Sequence, residues 1–291
     1  MYRRLMKAAI ITLLITLPLA GCNSRKAAVT AEAQGEKKVL EVFAGAASKP
    51  PLEELAAMYK EKYGVEVNLT FGGSGSVLSQ MKLSRQGDVY IPGSSDFMEL
   101  AKKEGIVDPQ TEKVLVYLLP AINVPKGNPQ GIKTLTDLTR PGVRVGMARP
   151  ETVCVGLYGV EILENAGLAD QVRKNIVTYA ESCEKTANLV ALKQVDAVLG
   201  WDVFAKWDQD KIETVYLPPE QITRIGYIPA AVTTYSRQKE LAASFVNFLT
   251  SDAGKGVFRK YGYMVDLEEA RQFAPDAPVG GEYELPPDWR K

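Results

Sequence analysis

A turn rich in glycine and serine, Phe71–Ser76, constrains the fold of this chain more than any other stretch. It lies between an alternating apolar run at 65–70 and a helix-like run at 77–83. This order predicts a strand, a turn and a helix N-terminus, where unpaired N–H groups and the helix dipole favour an anion. A purely structural interpretation stays open, in which Ser76 caps the helix.

Strands and helices alternate on both sides of this turn. Val39–Phe43 and Asp88–Ile91 have the composition of short strands, and Pro50–Tyr63 has the apolar spacing of a helix. Such alternation predicts an α/β fold with parallel strands, whose ligands bind beyond the carboxyl ends of the strands. The loop Ala44–Ser48 and the turn at 71–76 both lie at such ends.

Composition excludes several classes of function. The chain contains no histidine, which removes histidine metal sites and Ser–His or Cys–His catalysis. Lysine and arginine together number 35 and balance 35 acidic residues, without a basic stripe that would indicate nucleic-acid binding. No apolar run beyond the N-terminal region reaches the length of a membrane span.

The N-terminal region has the pattern of an export signal. Three basic residues within the first seven precede an apolar segment at 8–17, which ends in Leu19–Cys22. This resembles a bacterial lipoprotein signal, which implies cleavage after residue 21 and lipidation of Cys22. An ordinary secretory signal is the alternative. We therefore expect a signal peptide at 1–22 and a flexible tether at 23–38.

The order of the elements resembles that of the molybdate/tungstate-binding proteins of bacterial and archaeal ABC importers. The matching pieces are Val42–Ala44, Tyr63–Val67, Phe71–Gly75, Gly87–Ile91, Arg149–Val153, Val195–Val198 and Phe258–Tyr263. The resemblance implies a type II periplasmic-binding-protein fold, in which two α/β lobes close over a tetrahedral oxyanion. Backbone N–H groups and hydroxyls hold the anion in that family.

The resemblance also implies the organisation of the chain. Lobe 1 is expected at 39–118 and 230–265, lobe 2 at 119–229, and a C-terminal coil at 266–291. Each lobe is expected to be a mainly parallel sheet flanked by helices, with crossing strands between the lobes. The implied protein is a monomer without cofactor or metal, is not an enzyme, and works with an ABC permease.

Carrying over the binding positions of the family gives a candidate site. The positions are Ala47 with Ser48 beside it, Gly73, Ser74, Val155, Cys183 and Trp201. Two departures from the family stand out: a family serine falls on Ala47, and a family tyrosine falls on Trp201. The adjacent Asp202 would repel an anion unless it pairs, for instance with Arg149, or points away.

Cys154 lies beside the position at Val155, and Cys183 is itself one of the carried-over positions. Once Cys22 is lipidated they are the only two thiols of an exported chain, so a disulfide between them is expected. A thiolate pair that holds a soft metal or a thiophilic oxyanion is the alternative.

Three hypotheses of function follow. The first is an extracytoplasmic, lipid-anchored receptor that captures molybdate or tungstate for an ABC importer. The second keeps the receptor but binds a metal or thiophilic ligand through Cys154, Cys183 and Asp202. The third, an exported enzyme, lacks histidine, a Gly-x-Ser-x-Gly elbow and an evident carboxylate pair.

Overall fold

The computed structural model describes residues 38–290. The predicted signal peptide at 1–22, its Cys22, and the tether up to residue 37 lie outside the described residues. Within the described part, no helix is both long enough and apolar enough to cross a membrane.

The first sheet gathers strands from both ends of the described chain. Its strands are β1 (Val39–Gly45), β2 (Glu66–Gly72), β3 (Val89–Ile91), β4 (Lys113–Leu118) and β10 (Gly226–Val232), in the order β2-β1-β3-β10-β4. The helices of this lobe are α1 (Lys49–Tyr63), α2 (Ser74–Ser84), α3 (Ser95–Lys103), α8 (Lys239–Leu249) and α9 (Asp252–Lys260). Apolar side chains from sheet and helices, such as Leu40, Leu52 and Phe245, form its core.

The second sheet is built from the middle of the chain. Its strands are β5 (Pro120–Pro125), β6 (Val145–Ala148), β7 (Ile176–Ala180), β8 (Ala197–Trp201) and β9 (Ile212–Tyr216), in the order β7-β6-β8-β5-β9. Its helices are α4 (Cys154–Asn165), α5 (Ala169–Arg173), α6 (Cys183–Ala191) and α7 (Phe204–Trp207). The short helices α5 and α7 were not predicted from the sequence.

The two-lobed α/β fold predicted from the sequence is confirmed, but the sheets are more mixed than expected. In each sheet two neighbouring strand pairs are parallel and two are antiparallel. The antiparallel pairs involve β4, β5 and β10, because these strands run between the lobes. The chain leaves the first sheet after Leu118 and enters the second at Pro120, so Leu119 lies between the two sheets. β10 joins the first sheet from Gly226, four residues before the expected return at 230.

Glycines set the ends of two helices of the first lobe. Gly64 ends α1 with a φ of 67°, a left-handed conformation that glycine adopts at low cost. Gly73 precedes α2 in an extended conformation, and Ser74 is the first residue of that helix. The suggested capping role of Ser76 is therefore wrong, because Ser76 lies inside the first turn.

The C-terminal segment, expected to be coil, contains helix α10 (Leu267–Arg271) and a 3₁₀ turn at Pro287–Trp289. The buried ring of Trp289 lies under the guanidinium of Arg173 at 4.1 Å, and its indole N–H donates to Glu164. The segment is therefore attached to helices α4 and α5 of the second lobe.

Candidate functional site

The first lobe contributes two loops at the carboxyl ends of β1 and β2. Ala47 and Ser48 lie in a buried 3₁₀ turn, Gly73 precedes α2, and Ser74 begins it. The Ser48 hydroxyl donates to the carbonyl of Gly45 at 3.0 Å, so its proton is already used within the loop. Ser48 therefore does not replace the missing family serine as a free hydroxyl donor in this structure.

Ser74 is placed differently. Its Oγ accepts a hydrogen bond from the amide of Gly93 at 2.9 Å, and its carbonyl accepts one from the Tyr90 hydroxyl at 2.9 Å. Because its oxygen is the acceptor in the first bond, the hydroxyl proton stays available to donate to a further atom. Ser74 is also almost fully buried, which strengthens any hydrogen bond that it makes there.

The second lobe contributes two helix starts and a strand end. Cys154 and Val155 open α4, Cys183 opens α6, and Trp201 ends β8. All four residues are at most 2 % exposed. The N–H groups of a first helical turn have no partner within the helix, so both helix starts offer donors for an anion.

The two lobes are closed on each other at this place. The amide of Gly75 donates to the carbonyl of Thr152 at 2.9 Å, and Lys49 Nζ pairs with Glu184 Oε1 at 2.9 Å. A Cβ atom on Gly73 would lie 2.7 Å from the carbonyl oxygen of Thr152. The loops of the first lobe thus touch the segments that lead into α4 and α6.

The two cysteines are free thiols with their Sγ atoms 3.5 Å apart. The expected disulfide is therefore not formed in this structure. Burial disfavours a Cys154 thiolate, yet the pKa of Cys154 is lowered, because hydrogen-bond donors surround its sulfur. In order of effect these donors are Cys183, Trp201, Ser74 and the amide of Val155. Burial and the neighbouring Cys154 sulfur raise the pKa of Cys183 well above its ordinary value.

Trp201 carries a donor without a formed partner. Its ring is fully buried and packs edge-on against Tyr158, with centroids 4.8 Å apart. Among the described residues, no acceptor meets hydrogen-bond geometry with its indole N–H. The indole nevertheless lies close enough to the two sulfurs to help stabilise a thiolate on either. A buried donor of this kind costs free energy unless it finds an acceptor, and an oxyanion would supply one.

Asp202 does not pair with Arg149. Its Oδ1 accepts from the amide of Leu119 at 3.0 Å, where the chain passes between the lobes. Arg149, suggested as its partner, instead pairs with Glu181 at 2.8 Å. Burial raises the pKa of Asp202 to about 7, and the amides of Leu119, Asp202 and Val203 oppose this rise.

The raised pKa of Asp202 predicts a pH dependence of stability. The folded protein binds the Asp202 proton more tightly than the unfolded chain, so this contribution is complete below pH about 4 and is lost as pH rises through about 7. The free energy of unfolding should fall across this window by up to roughly 4 kcal/mol from Asp202 alone. In Asp202→Asn this part of the slope should vanish in urea denaturation at several pH values; an unchanged slope would contradict the assignment.

The structure adds three residues to the site that the sequence did not indicate. Gly93 follows β3, donates to Ser74, and comes so close to Cys154 that a Cβ on it would meet the sulfur at 2.5 Å. The Tyr263 hydroxyl donates to the carbonyl of Ala47. Thr152 has a buried hydroxyl without a formed partner among the described residues. Gly93 could have been found, because it lies in the loop after a third strand at the same sheet edge.

The site has no conventional metal centre. Within residues 38–290 no group of three or more histidine, cysteine or carboxylate residues is placed to hold a metal ion. Neutral hydrogen-bond donors surround the two thiols, and Oδ1 of Asp202 accepts a hydrogen bond from the amide of Leu119. This arrangement suits an acceptor-rich guest better than a cation.

Comparison with known proteins decides the family. The family model described as bacterial extracellular solute-binding protein matches residues 40–264. The chain belongs to this family. The match covers both sheets and stops before α10, so the C-terminal segment lies beyond it.

Individual relatives are named for different ligands. The chain is 27 % identical over 251 residues to a sulfate-binding protein of Synechococcus elongatus, covering 77 % of this chain and 71 % of the relative. It is 27 % identical over 248 residues to a molybdate-binding protein of Mycobacterium tuberculosis, covering 85 % and 92 %. The periplasmic molybdate-binding protein of Azotobacter vinelandii has the same fold, with a TM-score of 0.68, 19 % identity, and coverage of 78 % and 99 %.

Proposed function

We propose that this protein captures a small tetrahedral oxyanion, molybdate or tungstate first, outside the cytoplasm and delivers it to the permease of an ABC importer. In this proposal Cys22 carries the lipid anchor, the protein acts as a monomer, and no bond is made or broken in the ligand. Relatives in the family are named for molybdate and for sulfate, which supports an oxyanion ligand.

The buried indole N–H of Trp201 is the observation that carries this proposal. It has no formed partner among the described residues, and it lies near the Ser74 hydroxyl and the start of α4, which surround the Cys154 sulfur. The Ser74 hydroxyl, this indole N–H and the amides of the helix starts are all donors, which an unprotonated oxyanion requires. Val155, Cys183 and Gly73 would add backbone amides, with Ala47 and Ser48 shaping the wall.

The second candidate, a thiophilic ligand, is favoured by one observation. The sulfur atoms of Cys154 and Cys183 lie 3.5 Å apart and are both unoxidised, so they can bind one soft centre together. Asp202 does not support this candidate, because its Oδ1 accepts from the Leu119 amide.

Titration calorimetry with molybdate, tungstate, sulfate and phosphate tests the proposal, and cadmium as a soft cation tests the second candidate. Each is measured with and without a reductant. A ligand at about 100 times its dissociation constant should also raise the free energy of unfolding by about 2.7 kcal/mol. If none of the four oxyanions gives heat or a thermal shift in either condition, the oxyanion proposal is wrong.

A further inference from the structure

Cys154 and Cys183 are placed so that they can be joined within one lobe. They open α4 and α6, which follow the adjacent parallel strands β6 and β7. A disulfide needs the sulfurs to approach from 3.5 Å to about 2.05 Å. Because both cysteines belong to the second lobe, the bond can form without a change in how the lobes meet.

In the dithiol form the Cys154 sulfur points across to the first lobe. It packs against Gly93, whose amide is bonded to Ser74. The Ser74 hydroxyl and the Trp201 indole also surround this sulfur and favour its ionised form. These are the donors that the proposed oxyanion needs. The Cys154 sulfur in this position therefore competes with the oxyanion for one set of donors and for the same space.

We propose that Cys154 and Cys183 form a thiol–disulfide switch on the oxyanion site, in which the disulfide form binds the oxyanion and the dithiol form blocks it with the Cys154 sulfur. This inference rests on the proposed function. Oxidation draws the Cys154 sulfur toward Cys183, so that it no longer accepts a hydrogen bond from Ser74. The backbone amides of the two helix starts remain in place, so the donors become available to the ligand.

A small-molecule disulfide is the oxidant for this switch. One cysteine thiolate attacks a sulfur of the small disulfide and displaces one thiol, and the second cysteine then attacks the mixed disulfide and displaces the other. Two electrons pass from the protein dithiol to the small disulfide, and the two displaced thiols take up the two protons. Both cysteines are at most 2 % exposed, so the exchange requires the lobes to part. A bound oxyanion that keeps the lobes closed should slow it.

The test compares the two redox states of the full-length chain carrying Cys22→Ser, which leaves Cys154 and Cys183 as its only thiols. One sample is reduced with dithiothreitol and the other oxidised with glutathione disulfide, and thiol titration in denaturant verifies each state. Both are then freed of reagent and titrated with molybdate. The dissociation constant should be at least tenfold lower in the disulfide form.

Two variants separate blocking by the sulfur from other effects of oxidation. Cys154→Ala, which has no blocking sulfur, should bind molybdate with one affinity in both conditions, close to that of the disulfide form. Cys183→Ala keeps the Cys154 sulfur and cannot form the bond, so it should bind weakly in both. Equal, measurable affinities in the two states of the Cys22→Ser chain would overturn the switch and leave the proposed function intact. No binding in either state, nor in Cys154→Ala, would overturn both.

Discussion

Gly73→Ala should lower the affinity for molybdate at least a hundredfold while leaving the lobes folded. The added Cβ would lie 2.7 Å from the carbonyl oxygen of Thr152 and 2.8 Å from that of Glu181, closer than real Cβ atoms come. Both atoms are backbone, so neither can swing aside as a side chain can. Since Gly73 belongs to the first lobe and the carbonyls to the second, the lobes would stop short of closure.

Gly73→Ala should lower the affinity for the ligand because the two carbonyl groups lie beside the proposed site. Thr152 and Glu181 immediately precede the segments that open α4 and α6, which carry the proposed lobe 2 donors. When these segments are held away from Ser74, the donors of the two lobes can no longer contact one ligand together. Water then enters the site and weakens each hydrogen bond there. Gly73 has an extended backbone with φ −64° and ψ 143°, which alanine adopts without strain, so the fold should survive.

Gly256→Ala is the matched control. Gly256 lies within α9, and a Cβ on it meets no atom within 4 Å. This change should leave the dissociation constant unchanged and raise the free energy of unfolding by up to about 1 kcal/mol, because alanine favours a helix over glycine. Calorimetry gives the affinities, and small-angle scattering with molybdate should show a larger radius of gyration for Gly73→Ala. An affinity within threefold of the unmodified protein would show that closure does not depend on Gly73.

The sequence predicted the α/β class because its signals are local and repeated, whereas the two lobes were implied by the family resemblance. Apolar strands followed by glycine-containing turns and amphipathic helices identify an α/β fold without knowledge of contacts. The residue at which α2 begins was harder to predict from the sequence. Glycine and serine fill 72–76, and several of these residues suit a helix start. The structure selects Ser74, whose side chain and carbonyl are held by Gly93 and Tyr90 from the third strand and the loop after it.

The surroundings of the site depended on contacts that are distant in sequence. Of the two alternatives for Asp202, pairing with Arg149 is wrong, because Asp202 accepts from the amide of Leu119, 83 residues earlier. The spacing of charged residues in a sequence does not predict a hydrogen bond to a distant backbone amide. The two thiols were predicted to lie together because the family resemblance put both on the wall of lobe 2. Their redox state is not encoded in the sequence, since it depends on the surroundings of the protein.

Arg224→Met should lower the free energy of unfolding by about 3–5 kcal/mol, the largest stability change that we expect from one side chain. Its guanidinium forms two hydrogen bonds to Asp96 of α3, at 3.1 and 2.9 Å, and pairs with Glu161 of α4 at 2.7 Å. It also donates to the carbonyl of Gly281 in the C-terminal segment at 2.9 Å. One cation thus joins both lobes and that segment.

The cost arises from what the substitution leaves behind. The side chains of Arg224 and Asp96 are only 4 % and 6 % exposed, and burial raises the pKa of Glu161 even with the arginine present. Without Arg224, two carboxylates stay in a poorly hydrated place without their shared cation, and they repel each other. The guanidinium also lies 4.0 Å from the centre of the Tyr158 ring, a cation–π contact that methionine cannot replace.

A second substitution identifies the unpaired charge as the cause. Arg224→Met combined with Asp96→Asn should recover part of the lost stability, because an amide side chain needs no counter-ion. Arg259→Met is the control, since Arg259 is 52 % exposed and pairs at the surface with Asp266 and Glu269. It should cost less than about 1 kcal/mol. Urea denaturation measures all three variants. The contrary result is that Arg224→Met lowers the free energy of unfolding no more than Arg259→Met does. That result would mean that water reaches both carboxylates and that Arg224 contributes no more than an exposed ion pair.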